Sequence, residues 1–468
     1  MYSYTHVSMH VRENARPWGG HGGASSILKG TEMQRRIRSA TLVALVVAAS
    51  MTMTTACTNQ STGDDPTIEQ IDRVINMLVP QATFQQSLEP LLESFTAETG
   101  LQINTTVMPN SDVESRQVLD LANKSGIYDL IVLDDRPWLS EMYKGMLPLN
   151  DLIKRDNVDL SSFFEPGLDL FAAEGNQYGF PFGLGPWILV YRADLFEQKG
   201  LEPPVTFADM LSVAEALTEG GTYGLSIPLG SATHLVTIWL TLAYNAGLLE
   251  LLSDDGTKPA FNNEAGLKAL ELMVKAYQDG YISEDAITAA DTAAVRTALQ
   301  KGKAAMAFLS TSSLNQLNAE GSSDYAGKFF LATPPILNAS IDPVYFVTGW
   351  GYGISKYSNN QNNAWKLIKY LIDSYQYPGP DAPRTLLQYP NSKAAIELPA
   401  VAEIYPEGQA GIIRNALESP VARPFTPKWS AVMNAMASRF QASFTGRMTP
   451  QEALDAAEID VAAILVEF

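Results

Sequence analysis

The chain has 468 residues, of which 46% are hydrophobic and 18% are charged. At roughly 100–200 residues per domain this length predicts two or three compact units, and the composition excludes collagen, coiled-coil and disordered chains. The 32 basic and 51 acidic residues give a formal net charge of −19. Because such a surface repels phosphate backbones and anionic head groups, binding to nucleic acid or to a membrane surface is a poor candidate function.

Cysteine and histidine are scarce. The single cysteine, Cys57, excludes an intrachain disulfide. Three of the four histidines lie before residue 33, so a zinc site or a Ser-His-Asp triad would have to be built around His234 alone. We therefore expect no metal, no cofactor and no catalytic residue.

The N-terminal region has the pattern of an export signal. Three arginines at 35, 36 and 38 precede an apolar run of ten residues at 40–49, which is too short to span a bilayer. We interpret 33–56 as a signal peptide and 1–32 as a non-native extension that arises from an overlong gene start. The small residues before Cys57 resemble a bacterial lipoprotein signal, although Thr54 stands where that pattern prefers Leu. This resemblance implies a lipid on Cys57 and a tether over 57–66; the alternative is an ordinary free thiol.

The mature chain opens with alternating strands and helices. Strands are predicted at 74–79, 101–107 and 129–133, with helices between them, and this alternation favours a mainly parallel sheet covered by helices. In such sheets ligands bind beyond the carboxyl ends of strands. The residues that follow the third strand, Asp134 to Trp138, lie at such an end.

The alternation continues through the rest of the chain. Further strands are predicted at 187–191 and 304–309. Thr206 with Asp209 and Thr449 with Glu452 have the spacing of helix-capping boxes. The apolar run 235–252 is interrupted by polar residues, which favours a buried helix over a membrane span.

Eight short motifs, in this order, are similar to those of the family 1 extracellular solute-binding proteins, the maltose-binding-protein-like carbohydrate receptors of ABC importers. In chain order they are FTAETG (95–100), YDLIV (128–132), YGFPF (178–182), YRADLF (191–196), PVTFAD (204–209), GKAAM (302–306), GWGYGI (349–354) and TPQEAL (449–454). The Pro137-Trp138 pair, and Arg192 where maltose-binding relatives carry Asn, resemble the branch that binds sugar alcohols.

The resemblance implies an α/β fold of two lobes, the type II periplasmic-binding-protein fold, with mostly parallel sheets and several crossings between the lobes. Carried over to this chain, lobe 1 would hold 67–185 and 309–353, and lobe 2 would hold 186–308 and 354–468. The implied protein is not an enzyme. It would be a monomer that touches the membrane only through its lipid.

Carbohydrates have hydroxyls at their edges and apolar faces on their rings, so a receptor needs aromatic surfaces and forked polar groups. Tryptophans near the predicted strand ends supply the first, and charged side chains near Asp134 supply the second. By resemblance, Trp239 and Trp429 occupy positions of stacking aromatics. The candidate ligand-binding residues are Asp135, Arg136, Trp138, Trp187, Trp239, Trp350, Arg423 and Trp429.

These features predict a receptor that closes its lobes on a sugar, oligosaccharide or polyol and then docks on permease subunits. A co-receptor of a signalling kinase with the same pocket is an open alternative. An exported glycosidase or lyase would need two opposed carboxyl groups, and receptors for peptides or metal ions are further alternatives. His234 is expected to be a cap or a packed side chain.

Overall fold

The computed structural model describes residues 73–80, 82–253, 255–376, 390–405 and 408–466. The predicted extension, signal peptide, lipidated Cys57 and tether lie outside these residues. Within the part of the chain that is described, no helix has the length and apolar character needed to cross a membrane. The apolar run at 235–252 begins inside a buried helix, Ala232–Tyr244.

The strands are numbered in chain order. They are β1 (Val74–Pro80), β2 (Gln102–Met108), β3 (Leu130–Asp134), β4 (Ala172–Ala173), β5 (Asn176–Gln177), β6 (Gly179–Arg192), β7 (Tyr223–Ser226), β8 (Ala304–Ser310), β9 (Phe329–Ala332), β10 (Tyr345–Ile354) and β11 (Pro420–Val421). Among the described residues, nine strands form one sheet in the order β2-β1-β3-β10-β6-β8-β7, with β11 beside β10 and β9 beside β6.

The helices surround this sheet. They are α1 (Ala82–Thr99), α2 (Asn110–Asn123), α3 (Asp135–Met142), α4 (Asn150–Arg155), α5 (Glu165–Asp169), α6 (Ala193–Lys199), α7 (Phe207–Leu217), α8 (Ala232–Tyr244), α9 (Glu264–Gln278), α10 (Thr292–Gln300), α11 (Ser313–Asn318), α12 (Gln361–Gln376), α13 (Lys393–Ile396), α14 (Pro399–Ile404), α15 (Gln409–Glu418), α16 (Trp429–Phe444) and α17 (Pro450–Val466).

The predicted α/β class with a helix-flanked sheet is confirmed, but the sheet is mixed. β1 pairs in parallel with β2 and β3, and β7 pairs in parallel with β8. In the middle of the sheet, β10 runs antiparallel to β3 and β6, and β6 runs antiparallel to β8 and β9. The expectation of mostly parallel sheets therefore holds at the two ends of the sheet and fails at its centre.

Strand β6 joins two parts of the sheet. Its first half pairs with β10, and from Trp187 onward it pairs with β8 and β9. Trp187 lies at the change of partner, opposite Phe346 on one side and Ser310 on the other. Just before it, a Cβ on Gly185 would lie 2.6 Å from Ser310 Oγ, so this close approach requires glycine.

One cluster of buried side chains runs across the sheet from β1 and β3 to β6, β8 and β9, and two others lie at its ends. One end cluster joins β1, α1 and α12, where Phe95 and Tyr370 are in edge-on contact with ring centroids 5.4 Å apart. The other end cluster joins α7, α8, α9, α16 and α17. Helix α12 thus packs with the N-terminal strands, whereas the resemblance grouped all of 354–468 with the second lobe.

Local sequence accounts for the helix starts that were predicted from it. Thr206 Oγ1 accepts a hydrogen bond from the Asp209 backbone N–H, and the Asp209 carboxylate accepts one from the Thr206 N–H. Thr449 and Glu452 make the same reciprocal pair at the start of α17. Both predicted capping boxes are confirmed.

Candidate functional site

The site begins where β3 ends and α3 starts. Asp134 is the last residue of β3, and Asp135, the first residue of α3, has φ of +46°. A non-glycine residue adopts this left-handed region at a cost, which Asp tolerates better than most residues. The sharp turn brings two consecutive carboxylates within reach of one partner, where a continuing strand would point them apart.

That partner is Arg423, which arrives from the C-terminal part of the chain. Strand β11 pairs with Tyr345 and Phe346 of β10, and Arg423 follows β11 by two residues. Its Nη1 lies 3.2 Å from Asp135 Oδ2 and 3.6 Å from Asp134 Oδ1. The side chain of Arg423 is 8% exposed and that of Asp135 is 1% exposed, so this ion pair is removed from water.

One guanidinium shared by two carboxylates leaves negative charge in excess. Burial raises the pKa of Asp135 to about 8, against the lowering effect of Arg423, and burial also raises the pKa of Asp134. Among the described residues, no group hydrogen-bonds the second carboxylate oxygen of Asp135 or Nε of Arg423, although both atoms are buried. Buried polar atoms in native proteins are nearly always hydrogen-bonded, so this acceptor and this donor are suited to a ligand.

Two tryptophans stand beside the ion pair. Trp350 on β10 lies directly opposite Asp134 in the sheet register. Trp138, in the first turn of α3, meets Trp350 edge-on, with ring centroids 5.7 Å apart and an interplanar angle of 82°. Trp350 keeps partial exposure whereas Trp138 is buried. The predicted residues Asp135, Trp138 and Trp350 are thus brought together by one strand end and its antiparallel neighbour.

Trp187 on β6 and His234 on α8 contact each other near this group. The indole N–H of Trp187 donates to Thr348 Oγ1 at 3.3 Å, and its ring centroid is 5.8 Å from that of His234. Burial lowers the pKa of His234 to about 4, and the positive charge of Arg423 lowers it further. This electrostatic effect indicates that His234 and Arg423 lie within range of each other.

Arg136 lies on the other side of the segment that carries Arg423. Its guanidinium carbon is 5.8 Å from the centroid of Phe425, two residues after Arg423. Within the described residues, its buried Nε makes no hydrogen bond. The Arg136 guanidinium thus lies against an aromatic ring, while the backbone N–H and the charge of Arg136 act to lower the pKa of Asp135.

Trp239 and Trp429 are held in the core that surrounds α8. Trp239 is fully buried, donates from its indole N–H to the Gly266 carbonyl at 3.1 Å, and packs on Phe440 at 5.1 Å between centroids. Because α8 packs between α9 and α16, Trp239 has no exposed face for a ligand. Trp429, at the start of α16, is 3% exposed and its buried indole N–H has no partner among the described residues.

Sequence reasoning missed other polar groups near this site. Thr311 follows the carboxyl end of β8, its N–H donates to the Pro186 carbonyl at 3.0 Å, and its buried hydroxyl has no partner among the described residues. The polar run 310–313 directly after a buried strand was a usable signal. Glu114 on α2 offered none, since it is one of several charged residues in a polar helix; burial, with Glu141 and Asp134 nearby, raises its pKa to about 7.

The described residues contain no group of three or more His, Cys, Asp or Glu side chains that could hold a metal ion. The polar atoms of the site instead belong to one buried ion pair and its surroundings. Such an arrangement can donate and accept hydrogen bonds beside aromatic rings.

Comparison with known proteins places this fold among binding proteins. An erythritol/L-threitol-binding protein of Mycolicibacterium smegmatis is 24% identical over 325 residues, covering 63% of this chain and 66% of that protein, just under two thirds. A ribitol complex of an ABC transporter solute-binding protein from Agrobacterium radiobacter has a TM-score of 0.73 at 23% identity, covering 83% of this chain and 98% of that one.

A maltose-bound MalE3 of T. maritima has a TM-score of 0.72 at 21% identity, again covering 83% of this chain and 98% of that one. These structures establish the two-lobed solute-binding fold. The model of the family described as bacterial extracellular solute-binding protein matches residues 79–374, which is more than half of the chain. The chain belongs to the bacterial extracellular solute-binding protein family.

Proposed function

We propose that this protein is the substrate-binding lipoprotein of an ABC importer, which captures a sugar or polyol between two lobes and delivers it to permease subunits. The proposal rests on one observation above all. The buried Asp135–Arg423 pair keeps an acceptor and a donor without partners in the described structure, next to Trp138 and Trp350.

These groups match the chemistry of a carbohydrate hydroxyl. A hydroxyl both donates and accepts, so it can accept from Arg423 Nε while it pairs with the second Asp135 oxygen, which accepts when the carboxyl is ionised and donates when it is protonated. The hydrogen bond from the charged guanidinium is roughly twice as strong as a neutral one. Indole rings add an apolar surface for the C–H face of the ligand. We assign Asp135, Arg423, Trp138, Trp187 and Trp350 to this binding site.

The relatives support a small ligand. Erythritol and threitol are named for one relative and ribitol for one structure, and both are short polyols. The edge-on contact of Trp138 with Trp350 leaves the two rings 5.7 Å apart, so no sugar ring fits between them. We therefore favour a monosaccharide or polyol that rests on one indole face.

The two lobes are proposed from the resemblance, with one revision. Lobe 1 holds 67–185 and 309–353, and lobe 2 holds 186–308 and most of 354–468. Helix α12, Gln361–Gln376, joins lobe 1, because it packs with α1 and β1. The partner change of β6 at Trp187 supports a crossing near Gly185.

The mechanism is closure driven by the ligand. A ligand that contacts both lobes favours the closed state only by its difference in affinity for the closed and open states. The closed form then docks on the permease. We propose a monomer held at the outer face of the membrane by a lipid on Cys57.

A thermal-unfolding panel tests the substrate class. The purified protein is heated with erythritol, ribitol, monosaccharides, maltose and, as a contrasting class, short peptides. Binding to the native state alone raises the midpoint by mass action. We expect a shift with a polyol or small sugar and none with peptides; a shift with peptides alone overturns the proposal. Calorimetry of the hit then gives the affinity.

A further inference from the structure

His234 is held by its own helix cap. It lies in the first turn of α8, and Ser231, the residue before the helix, accepts a hydrogen bond from the His234 backbone N–H at 3.4 Å. The same Ser231 oxygen lies 2.8 Å from Nδ1 of the His234 ring. One hydroxyl therefore contacts both the backbone and the side chain of this residue.

These two contacts leave the hydroxyl hydrogen of Ser231 available to the ring. A serine hydroxyl has one hydrogen and two lone pairs. With one lone pair facing the backbone N–H, the hydroxyl hydrogen is free to donate to Nδ1. The ring is neutral near pH 7, because burial and Arg423 lower its pKa to about 4 while Asp291 raises it and Arg296 lowers it. When the hydroxyl donates to Nδ1, the ring hydrogen is on Nε2; when it accepts from Nδ1–H, the ring hydrogen is on Nδ1.

The Nε2–H is available to a ligand. No described residue accepts a hydrogen bond from Nε2, and the ring adjoins Trp187, whose indole N–H donates to Thr348 on the same strand as Trp350. Helix α8 belongs to the part of the chain assigned to lobe 2, whereas Asp135 belongs to lobe 1. A donor on α8 would therefore contact the ligand from the second lobe.

We propose that His234 is a specificity-determining residue of the binding site: Ser231 donates to its Nδ1, and its Nε2 donates a hydrogen bond to a ligand hydroxyl. This inference rests on the proposed sugar- or polyol-binding function. It assigns to α8 one hydrogen bond that forms when the ligand bridges the lobes. Ser231 is a positioning residue, since it acts only through His234.

The first test needs no ligand. Nitrogen NMR of the ¹⁵N-histidine-labelled full chain at pH 8 distinguishes a ring protonated at Nε2 from one protonated at Nδ1, and His234→Gln identifies the signal among the four histidines. We expect the Nε2–H form. In Ser231→Asp the carboxylate still caps the helix but has no hydrogen to donate. We expect this variant to move the proton to Nδ1.

The second test is calorimetric titration of the same proteins with ribitol and with maltose. His234→Leu and Ser231→Asp should each weaken the affinity roughly 3- to 10-fold, the effect of one neutral hydrogen bond. His234→Gln keeps an N–H donor and should retain most of the affinity. Thermal unfolding of each variant separates a loss of binding from a loss of folding.

The outcomes separate this inference from the proposed function. Asp135→Asn is the reference variant for the site. If it loses ribitol or maltose binding while His234→Leu and Ser231→Asp bind as the wild type does, His234 is not a ligand contact and the function stands. If the wild type binds none of the polyols and sugars of the thermal-unfolding panel, both proposals are overturned. An Nδ1–H ring in the wild type overturns the role of Ser231 directly.

Discussion

Asp135 and Arg423, 288 positions apart in the sequence, are joined by a hydrogen bond of 3.2 Å between Nη1 and Oδ2. The bond ties the end of β3 to the segment after β11, and both side chains are buried. The carboxylate and the guanidinium each keep a buried atom that no described residue satisfies. This relationship gives the candidate site its charge and its first testable consequences.

The raised pKa of Asp135 predicts a pH-dependent stability. In the folded protein this carboxyl stays protonated up to about pH 8, whereas in the unfolded chain it ionises near pH 4. The stability that the protonated Asp135 carboxyl contributes is thus fully present below pH 4 and is lost as the pH rises toward 8. Denaturant unfolding should show a falling free energy over this range in the wild type and a flatter profile in Asp135→Asn.

Asp159→Asn is the matched control for that experiment. Hydrogen bonds from Ser161 lower the pKa of this exposed carboxyl, so its effect on stability lies below about pH 4. Between pH 4 and 8 the control should follow the wild type. Equal slopes for Asp135→Asn and the wild type would refute the buried-carboxyl account.

Removing Arg423 should destabilise the fold. Arg423→Met keeps an unbranched apolar side chain but removes the cation that faces the carboxyl groups of Asp134 and Asp135, and breaking a buried pair costs about 3 kcal/mol. The double variant Arg423→Met with Asp135→Asn should recover part of that free energy. A full double-mutant cycle by denaturant unfolding measures the coupling. Additive effects would mean that the 3.2 Å contact contributes nothing.

Substitutions of Trp350 and Trp239 should have different effects, the first on ligand affinity and the second on the unfolding free energy. Trp350→Ala removes an indole face beside the ion pair and should weaken sugar or polyol affinity roughly 3- to 10-fold, the value of an aromatic contact. Trp239→Phe removes the hydrogen bond to Gly266 and should lower the unfolding free energy by about 1 kcal/mol without changing affinity. Calorimetry and denaturant unfolding check the two effects, and an affinity change in Trp239→Phe alone would reverse the assignment.

A side chain at Gly185, just before β6 changes its partner strand, should destabilise the fold. Its added Cβ would lie 2.6 Å from Ser310 Oγ, so Gly185→Ala should lower stability by about 1–3 kcal/mol through overpacking. Adding Ser310→Ala removes that oxygen and should restore most of the loss. Gly411→Ala, at a helix position with open space, is the control and should be neutral or stabilising. No rescue by Ser310→Ala would point to another cause.

The proposed lipid anchor predicts a change of location. Cys57→Ser removes the thiol that would carry the lipid while the export signal remains. In cell fractionation, the wild type should appear in the membrane fraction and the variant in the soluble extracytoplasmic fraction. Metabolic labelling with a fatty acid should mark the wild type only. Membrane retention of the variant would refute the anchor.

Much of the fold could be predicted from the sequence because it depends on local residue patterns. The strands β1, β3 and β8 are short apolar runs, and the capping boxes at Thr206 and Thr449 need only residues three positions apart. Asp135, Trp138 and Trp350 could be named as candidates because a polar or aromatic group at a strand end is visible in sequence, and the structure brings the three together. By contrast, the local sequence does not distinguish Trp239 from Trp350 as a candidate binding residue. Trp239 is buried only because α8 packs between α9 and α16.

The sequence by itself determined the family, the strand and helix alternation and the candidate aromatics, since these follow from periodicity, caps and ordered motifs. Only the tertiary structure decided which polar groups meet. Arg423 reaches Asp135 because β11 pairs with β10, and His234 reaches Trp187 because α8 packs near the partner change of β6. Contacts of this kind depend on strand order and register over hundreds of residues, and no local pattern encodes them.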